Sequence, residues 1–280
     1  MDYGVYMFPT DYAIRPDDLA REVEQRGFES LWFPEHTHIP AERRSPWPGG
    51  PDLPREYWHT YDPFIALMAA AGATNKIKLG TGICLVIERD PIVMAKEVAS
   101  VDRLSNGRFI FGIGGGWNAE EMETHGTNFR RRWHILREKI LAMKEIWTKE
   151  EAEFHGDYVN FDKVWCYPKL VQQPHPPIYM GGDGATTFDR VVEFCDGWMP
   201  IGARPGAGPS LTEKIAMLRK QAQEAGREGH IAVTIFGARP DPDRIANLEQ
   251  DGVDRVLFTL PSEEKDTVLP LLDQCAAAMR

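Results

Sequence analysis

The sequence predicts an α/β protein of eight alternating strand and helix units, the pattern of a closed (β/α)8 barrel, forming one domain over residues 1–280. Three observations predict it. Residues 76–121 read as a strand, an amphipathic helix and a second strand, a βαβ crossover of fixed hand. Apolar runs of strand length alternate with helical stripes along the rest of the chain. Glycines and polar residues gather after the strands, at the carboxyl ends where α/β folds bind ligands. Alternation alone does not show closure, so an open doubly wound sheet competes at this stage.

The first strand is Tyr3 to Phe8, followed by the helix RPDDLAREVEQRG, with acids in its first turn and Gly27 as its stop. The second strand is FESLWFPEH. A long loop, Thr37 to Tyr61, carries five prolines together with Trp47, Tyr57, Trp58 and His59, and a loop of that length in a compact domain points to a lid or pocket wall. The helix DPFIALMAAAGAT leads into the third strand, Ile77 to Leu85. Pro91 opens the next helix, whose Ile92, Ala95, Val98, Ala99, Val101 and Leu104 form an apolar stripe against the sheet, and Gly107 closes it. The fourth strand, Phe109 to Ile113, runs into three glycines, and the helix WHILREKILAMKEIWTKE follows. Residues 151–176 break the rhythm and read as a small insertion after the fourth unit, with a hairpin EFHGDYVNF. The remaining units are PPIYM with ATTFDRVVEFC, DGWMP with LTEKIAMLRKQAQEAG after a Gly/Pro-rich loop, AVTIFGA with DPDRIANLEQDG, and DRVLFTLP with EEKDTVLPLLDQCAAAM.

A chain this size buries roughly three quarters of the surface its unfolded form exposes. Its formal net charge of −10 argues against non-specific nucleic-acid or acidic-membrane binding. Arg130, Arg131 and Arg132 form the one dense basic run, read either as a solvated face or as a contact for an anionic tail. Cys84, Cys166, Cys195 and Cys275 lie far apart without CxxC spacing, as reduced core thiols do. No stretch approaches ~18 apolar residues and no signal sequence is evident, so a cytoplasmic protein is expected.

The candidate chemistry starts at Glu35, His36, Thr37 and His38, where the second strand ends. A histidine there can exchange a proton near neutral pH. His36 and His38 also invite a metal, but the later strand ends offer no histidine or carboxylate to complete a ligand set, so no metal site is expected. Gly181 and Gly182 precede a helix, where backbone N–H groups can hold a phosphate, although the charge of Asp183 opposes one.

The segments GTGI, ERDP, AKEVASVDRLSNGR and GIGGGWNAEE together resemble the luciferase-like flavin and deazaflavin oxidoreductases, and the resemblance spans most of the chain. It implies a luciferase-like TIM barrel rather than an open sheet. It implies that Glu35 and His36 sit beside a reactive ring, with His36 the catalytic candidate and Glu35 its partner. It matches Thr81, Gly82 and Ile83 to a segment that carries a non-prolyl cis peptide behind the ring, placed here at Gly82–Ile83. It assigns Gly181 and Gly182 to a cofactor phosphate, and Gly114 and Gly116 to close passage of the cofactor chain, with Asn118 or Glu120 bonding its hydroxyls. Sugar-phosphate dehydrogenases of this family carry a catalytic glutamate where this chain has Trp117, which argues for an apolar small-molecule substrate instead.

The resemblance thus implies an oxidoreductase transferring hydride between deazaflavin coenzyme F420 and an apolar organic substrate. An FMN-dependent monooxygenase and a non-catalytic cofactor-binding barrel remain open alternatives. Homodimers are common in the family, and none is read from the residues themselves.

Overall fold

In the computed structural model, which describes residues 1–201 and 208–279, the helices and strands alternate as the sequence predicts. Part of the Gly/Pro-rich loop after the sixth barrel strand, residues 202–207, lies outside the described residues. The strands are β1 (Asp2–Tyr6), β2 (Ser30–Phe33), β3 (Lys78–Thr81), β4 (Phe109–Ile113), β5 (Ala152–His155), β6 (Asn160–Val164), β7 (Ile178–Gly181), β8 (Gly197–Met199), β9 (Ala232–Ala238) and β10 (Arg255–Thr259). The helices are α1 (Pro16–Gln25), α2 (Glu56–His59), α3 (Pro63–Ala73), α4 (Pro91–Leu104), α5 (Ala119–Thr124), α6 (Arg132–Thr148), α7 (Thr187–Phe194), α8 (Leu211–Glu224), α9 (Pro242–Gln250) and α10 (Lys265–Ala277).

Eight of these strands pair in parallel around the ring β1-β2-β3-β4-β7-β8-β9-β10, and β10 returns to β1 with Tyr3 opposite Val256. Closure removes both sheet edges and decides for the barrel over the open sheet. The strands are buried on both faces, because helices cover the outside and side chains fill the inside. Trp32, Ile110, Tyr179, Met199 and Leu257 pack within the barrel. Arg255 lies beneath them, its guanidinium bonded to Glu29 at 2.7 and 2.8 Å.

The third strand stops at Thr81, short of the predicted Leu85. The peptide between Gly82 and Ile83 is cis, and a short 3₁₀ turn (Val86–Glu88) follows. The α4 stripe is also narrower than its pattern: Ile92 and Leu104, in the first and last turns, are 37% and 70% exposed. The buried face instead runs through Met94, Ala95, Val98, Ala99, Val101 and Asp102. Asp102 is buried because it holds the insertion. Its carboxylate accepts from the Val171 and Gln172 backbone N–H groups at 2.6 and 3.1 Å and from the Gln172 amide at 2.7 Å. The insertion itself is the antiparallel pair β5–β6.

All four cysteines are buried and unpaired. Among the described residues no helix is long and apolar enough to cross a membrane. Nor do any of them form a group of three or more His, Cys, Asp or Glu side chains that could hold a metal ion.

Candidate active site

A cavity of about 530 Å³ opens at the carboxyl ends of the strands. That size suits a cofactor-scale ligand. Each side of it comes from a different strand end. Glycines form one wall, with Gly82 after β3, Gly114 and Gly116 after β4, and Gly181 and Gly182 at the end of β7. Ile83 lies between two of them: a Cβ on Gly114 or Gly181 would strike its side chain. Bare backbone is therefore what the packing permits there. Aromatic residues also line it: Tyr6, Phe8 and Phe236 from the barrel, Tyr57 from the long loop, Trp117 and Trp133.

The loop 37–61 forms part of this wall, as its length and aromatic content predict. It is tied down at both ends of its excursion. Tyr61 N–H donates to the Pro9 carbonyl at 2.7 Å, and the Glu120 carboxylate accepts from Arg44 Nε at 2.9 Å and Ser45 N–H at 3.2 Å. Pro48 and Tyr57 consequently reach the cavity, and the short helix α2 inside the loop orients Tyr57.

His36 lines the cavity with its ring 5.0 Å from that of Tyr57 and 6.1 Å from that of Trp117. Its Nδ1 lies 2.9 Å from each carboxyl oxygen of Glu121, leaving Nε2 for the pocket. Burial pushes the His36 imidazole down to about 4, with the Glu35 charge opposing, so the ring is neutral at physiological pH. Burial also pushes the Glu121 carboxyl up to about 8, with the Glu35 charge adding to it.

Glu35 has a different role from its neighbour. It lines the cavity, and its buried carboxylate accepts from Leu85 N–H at 2.6 Å and from Arg89 Nε at 2.5 Å. Arg89 also pairs with Asp62 and Glu97. Glu35 and His36 thus both line the cavity, with the Glu35 carboxylate engaged by Leu85 and Arg89.

Three expected contacts fall off the wall. Thr81 is fully buried and its hydroxyl donates to the Gly112 carbonyl at 2.7 Å, inside the barrel. Asn118 is buried at the start of α5. Glu120 faces the loop, where hydrogen bonds from Ser45, with Arg44 alongside, pull its carboxyl down to about 2. At the expected phosphate segment, Gly182 N–H donates to the Met199 carbonyl at 3.3 Å and Gly184 N–H to the Thr187 hydroxyl at 3.0 Å, so those donors are already engaged. Asp183 pairs with Lys214 at 2.5 Å, which answers its charge. Of the basic run, Arg130 and Arg131 are exposed and Arg132 lies over the Phe129 ring at 3.9 Å.

Glu121 is the site residue that sequence reasoning missed, whereas Tyr57 stands in the loop expected to form a pocket wall. One signal was present: Asn118, Glu121 and Met122 share a helical face by spacing, and all three are buried, so Glu121 points inward while Glu120 points to the loop.

Known proteins share this fold. A monooxygenase of Streptomyces bottropensis superposes with a TM-score of 0.80 at 18% identity, covering 100% of this chain and 98% of that one. An F420-dependent secondary alcohol dehydrogenase, solved with an F420–acetone adduct, superposes with a TM-score of 0.77 at 19% identity, covering 100% and 99%. At such identities these likenesses establish a common fold. An uncharacterized protein of Mycobacterium tuberculosis is 37% identical over 100% of this chain and 99% of its own length. The F420-dependent hydroxymycolic acid dehydrogenase of the same organism is 28% identical over 80% of this chain and 59% of its own. The family model described as luciferase-like monooxygenase matches residues 13–239, and with the closed parallel barrel already in view, the chain belongs to the luciferase-like monooxygenase family.

Proposed function

We propose that this chain is an oxidoreductase that transfers hydride between the deazaflavin coenzyme F420 and an apolar organic substrate held at the barrel mouth. The observation that carries the reading is the neutral, buried His36, fixed through Nδ1 by Glu121 beside an aromatic wall. A ring nitrogen so held can give a proton to, or take one from, a substrate oxygen while the adjacent carbon gains or loses hydride. The 28% identity to an F420-dependent dehydrogenase supports the deazaflavin over FMN.

The residues fit such a cofactor. The glycine wall with Ile83 between Gly114 and Gly181 offers a flat, bare surface to a planar ring, and Tyr6, Phe236 and Met199 add apolar area. A bound deazaflavin supplies the two-electron hydride chemistry. The protein residues then have separate tasks: His36 handles the proton, Glu121 fixes its ring, Tyr57 and Trp117 hold an apolar substrate and exclude water. Trp117 brings no carboxylate to a polar substrate, so sugar phosphates are poor candidates.

The test is a substrate screen. Purified protein is mixed with oxidised or reduced F420 and a panel of apolar alcohols and ketones, and the ring absorbance is followed, with His36→Ala in parallel. Substrate-dependent bleaching or recovery that the variant loses supports the proposal. FMN-dependent oxygen consumption with no F420 turnover would move the assignment to a monooxygenase. Cofactor binding without turnover by any substrate would move it to a non-catalytic binding barrel.

A further inference from the structure

The helix α5 that carries Glu121 is six residues long, too short to hold its own shape in isolation. Its first backbone N–H groups have no partners within the helix, and its own N-cap residue, Asn118, makes no capping hydrogen bond. The cap comes instead from the long loop. Ser45 Oγ accepts from the Ala119 N–H at 3.0 Å, and the Glu120 carboxylate accepts in return from the Ser45 N–H at 3.2 Å. This is the reciprocal exchange of a capping box, made between two segments 74 residues apart rather than within one.

The third polar group of Ser45 is engaged as well. Its carbonyl accepts from Arg43 Nη1 at 2.6 Å, and the Arg43 guanidinium lies over the Trp117 ring at 5.4 Å. Trp117 lines the cavity with its ring 6.1 Å from that of His36. At the other end of α5, His125 Nε2 lies 2.8 Å from the hydroxyl of Thr37, the residue after His36. The segment from His36 to Ser45 therefore grips α5 at its start, at Glu121 and at His125. Glu120 and Glu121 are consecutive, and a helix turns ~100° per residue, so the hold on Glu120 sets the rotation that brings Glu121 to His36. Arg44 adds less, because its ion pairs with Glu120 and Glu123 are made by an exposed guanidinium.

We propose that Ser45 is a positioning residue for His36: from the loop it caps α5 and fixes the orientation in which Glu121 meets Nδ1, so that seating of the loop aligns the proton-transfer group. The proposal deepens the hydride-transfer reading and rests on it for its effect on turnover. Pro48 and Tyr57 of the same loop line the cavity, so the segment that meets a substrate is also the segment that sets the ring. Ser45 is not among the residues that line the cavity. It acts through Glu121, and through Arg43 on Trp117. Without the cap, α5 frays from Ala119 and Glu121 loses the constraint that holds it against the imidazole.

Cofactor-free protein tests the coupling apart from the assigned reaction. In Ser45→Ala, amide hydrogen exchange at residues 119–124 should quicken by about fivefold or more, the factor that a lost cap gives, while exchange in α6 stays as in the parent. The ring nitrogens of His36, followed by NMR with ¹⁵N-labelled histidine, should shift or broaden, and Ser45→Thr, which keeps the hydroxyl, should restore both signals. In turnover, Ser45→Ala should lower kcat by about tenfold or more, with KM and the affinity for F420 little changed. In a Glu121→Gln background the same substitution should cost nothing more, because the two residues act on His36 as one unit. A role in folding alone would multiply with Glu121→Gln and leave the His36 signals in place. Exchange at 119–124 and His36 signals unchanged in Ser45→Ala, or a multiplied loss in the double variant, would overturn the proposal. A response of α5 and His36 combined with failure of F420 to bind would remove the assigned reaction and leave the Ser45 coupling standing.

Discussion

Glu35 and His36 are adjacent in sequence and held by different partners: the carboxylate of Glu35 meets Arg89 Nε at 2.5 Å, while the imidazole of His36 has Nδ1 against Glu121 at 2.9 Å. The strand end thus separates an electrostatic anchor from a proton-transfer group. Substitutions at the two positions should fail in different ways.

His36→Ala should lower kcat by about 10²- to 10⁴-fold, the range for a lost general acid or base, with the affinity for cofactor little changed. Parallel binding titrations and turnover assays check this. Equal turnover in variant and parent would remove His36 from the chemistry.

Glu35→Gln should act on stability. Removing one member of a buried ion pair leaves Arg89 with Asp62 and Glu97 as its charged partners, and the single amide oxygen of Gln replaces the two carboxylate oxygens that accept from Leu85 N–H and Arg89 Nε. The expected loss is ~3–5 kcal/mol, read from denaturant midpoints. A variant as stable as the parent would contradict the anchor role.

Asp102→Ala should destabilise the fold by ~2–4 kcal/mol, because three donors from Val171 and Gln172 lose a charged acceptor at once. Limited proteolysis should then cut first within 151–176. Cleavage unchanged in rate and position would exclude Asp102 as the insertion's tether.

The pH dependence of stability carries a sign that can be worked out. Glu88 and Glu121 hold their protons to about 9 and about 8 when folded, against an ordinary 4.5. Between those values the folded state binds more protons, so stability falls as pH rises, by ~1.4 kcal/mol per pH unit for each such group. His36 acts oppositely: with its proton held only below about 4 when folded, against 6.5 ordinarily, it costs stability as pH falls from 6.5 towards 4. Glu88→Gln removes one downward contribution. Its advantage over the parent should grow from pH 5 to about 9 and then level, as measured by urea midpoints across that range. A difference constant with pH would mean that Glu88 is ionised in the folded state.

Much of the fold was legible because patterning and burial agree. The fourth barrel strand, Phe109–Ile113, and the strand Ala232–Ala238 fall where the apolar runs put them, and the insertion at 151–176 contains the hairpin its sequence suggests. The third strand was over-read from Gly82 to Leu85, since an apolar run gives no sign that regular pairing ends at Thr81 and resumes only as a single bridge from Cys84 to Ile113. Gly82, Gly114, Gly115 and Gly116, which line the cavity, stand in the same motifs that carry the family resemblance. The partner of His36 was not legible. Glu121 lies 85 positions away in sequence, and only the packing of α5 against the end of β2 brings the two together. Glu120, one residue earlier, was chosen for its type, and the helical turn carries it to Arg44 instead.

The most direct test of the central assignment is a titration of purified protein with F420 and, separately, with FMN, followed by ring absorbance and fluorescence. The account predicts saturable binding of F420 at the glycine wall, with FMN weaker or absent, and binding retained in His36→Ala. Preference for FMN, or binding of neither, would contradict it.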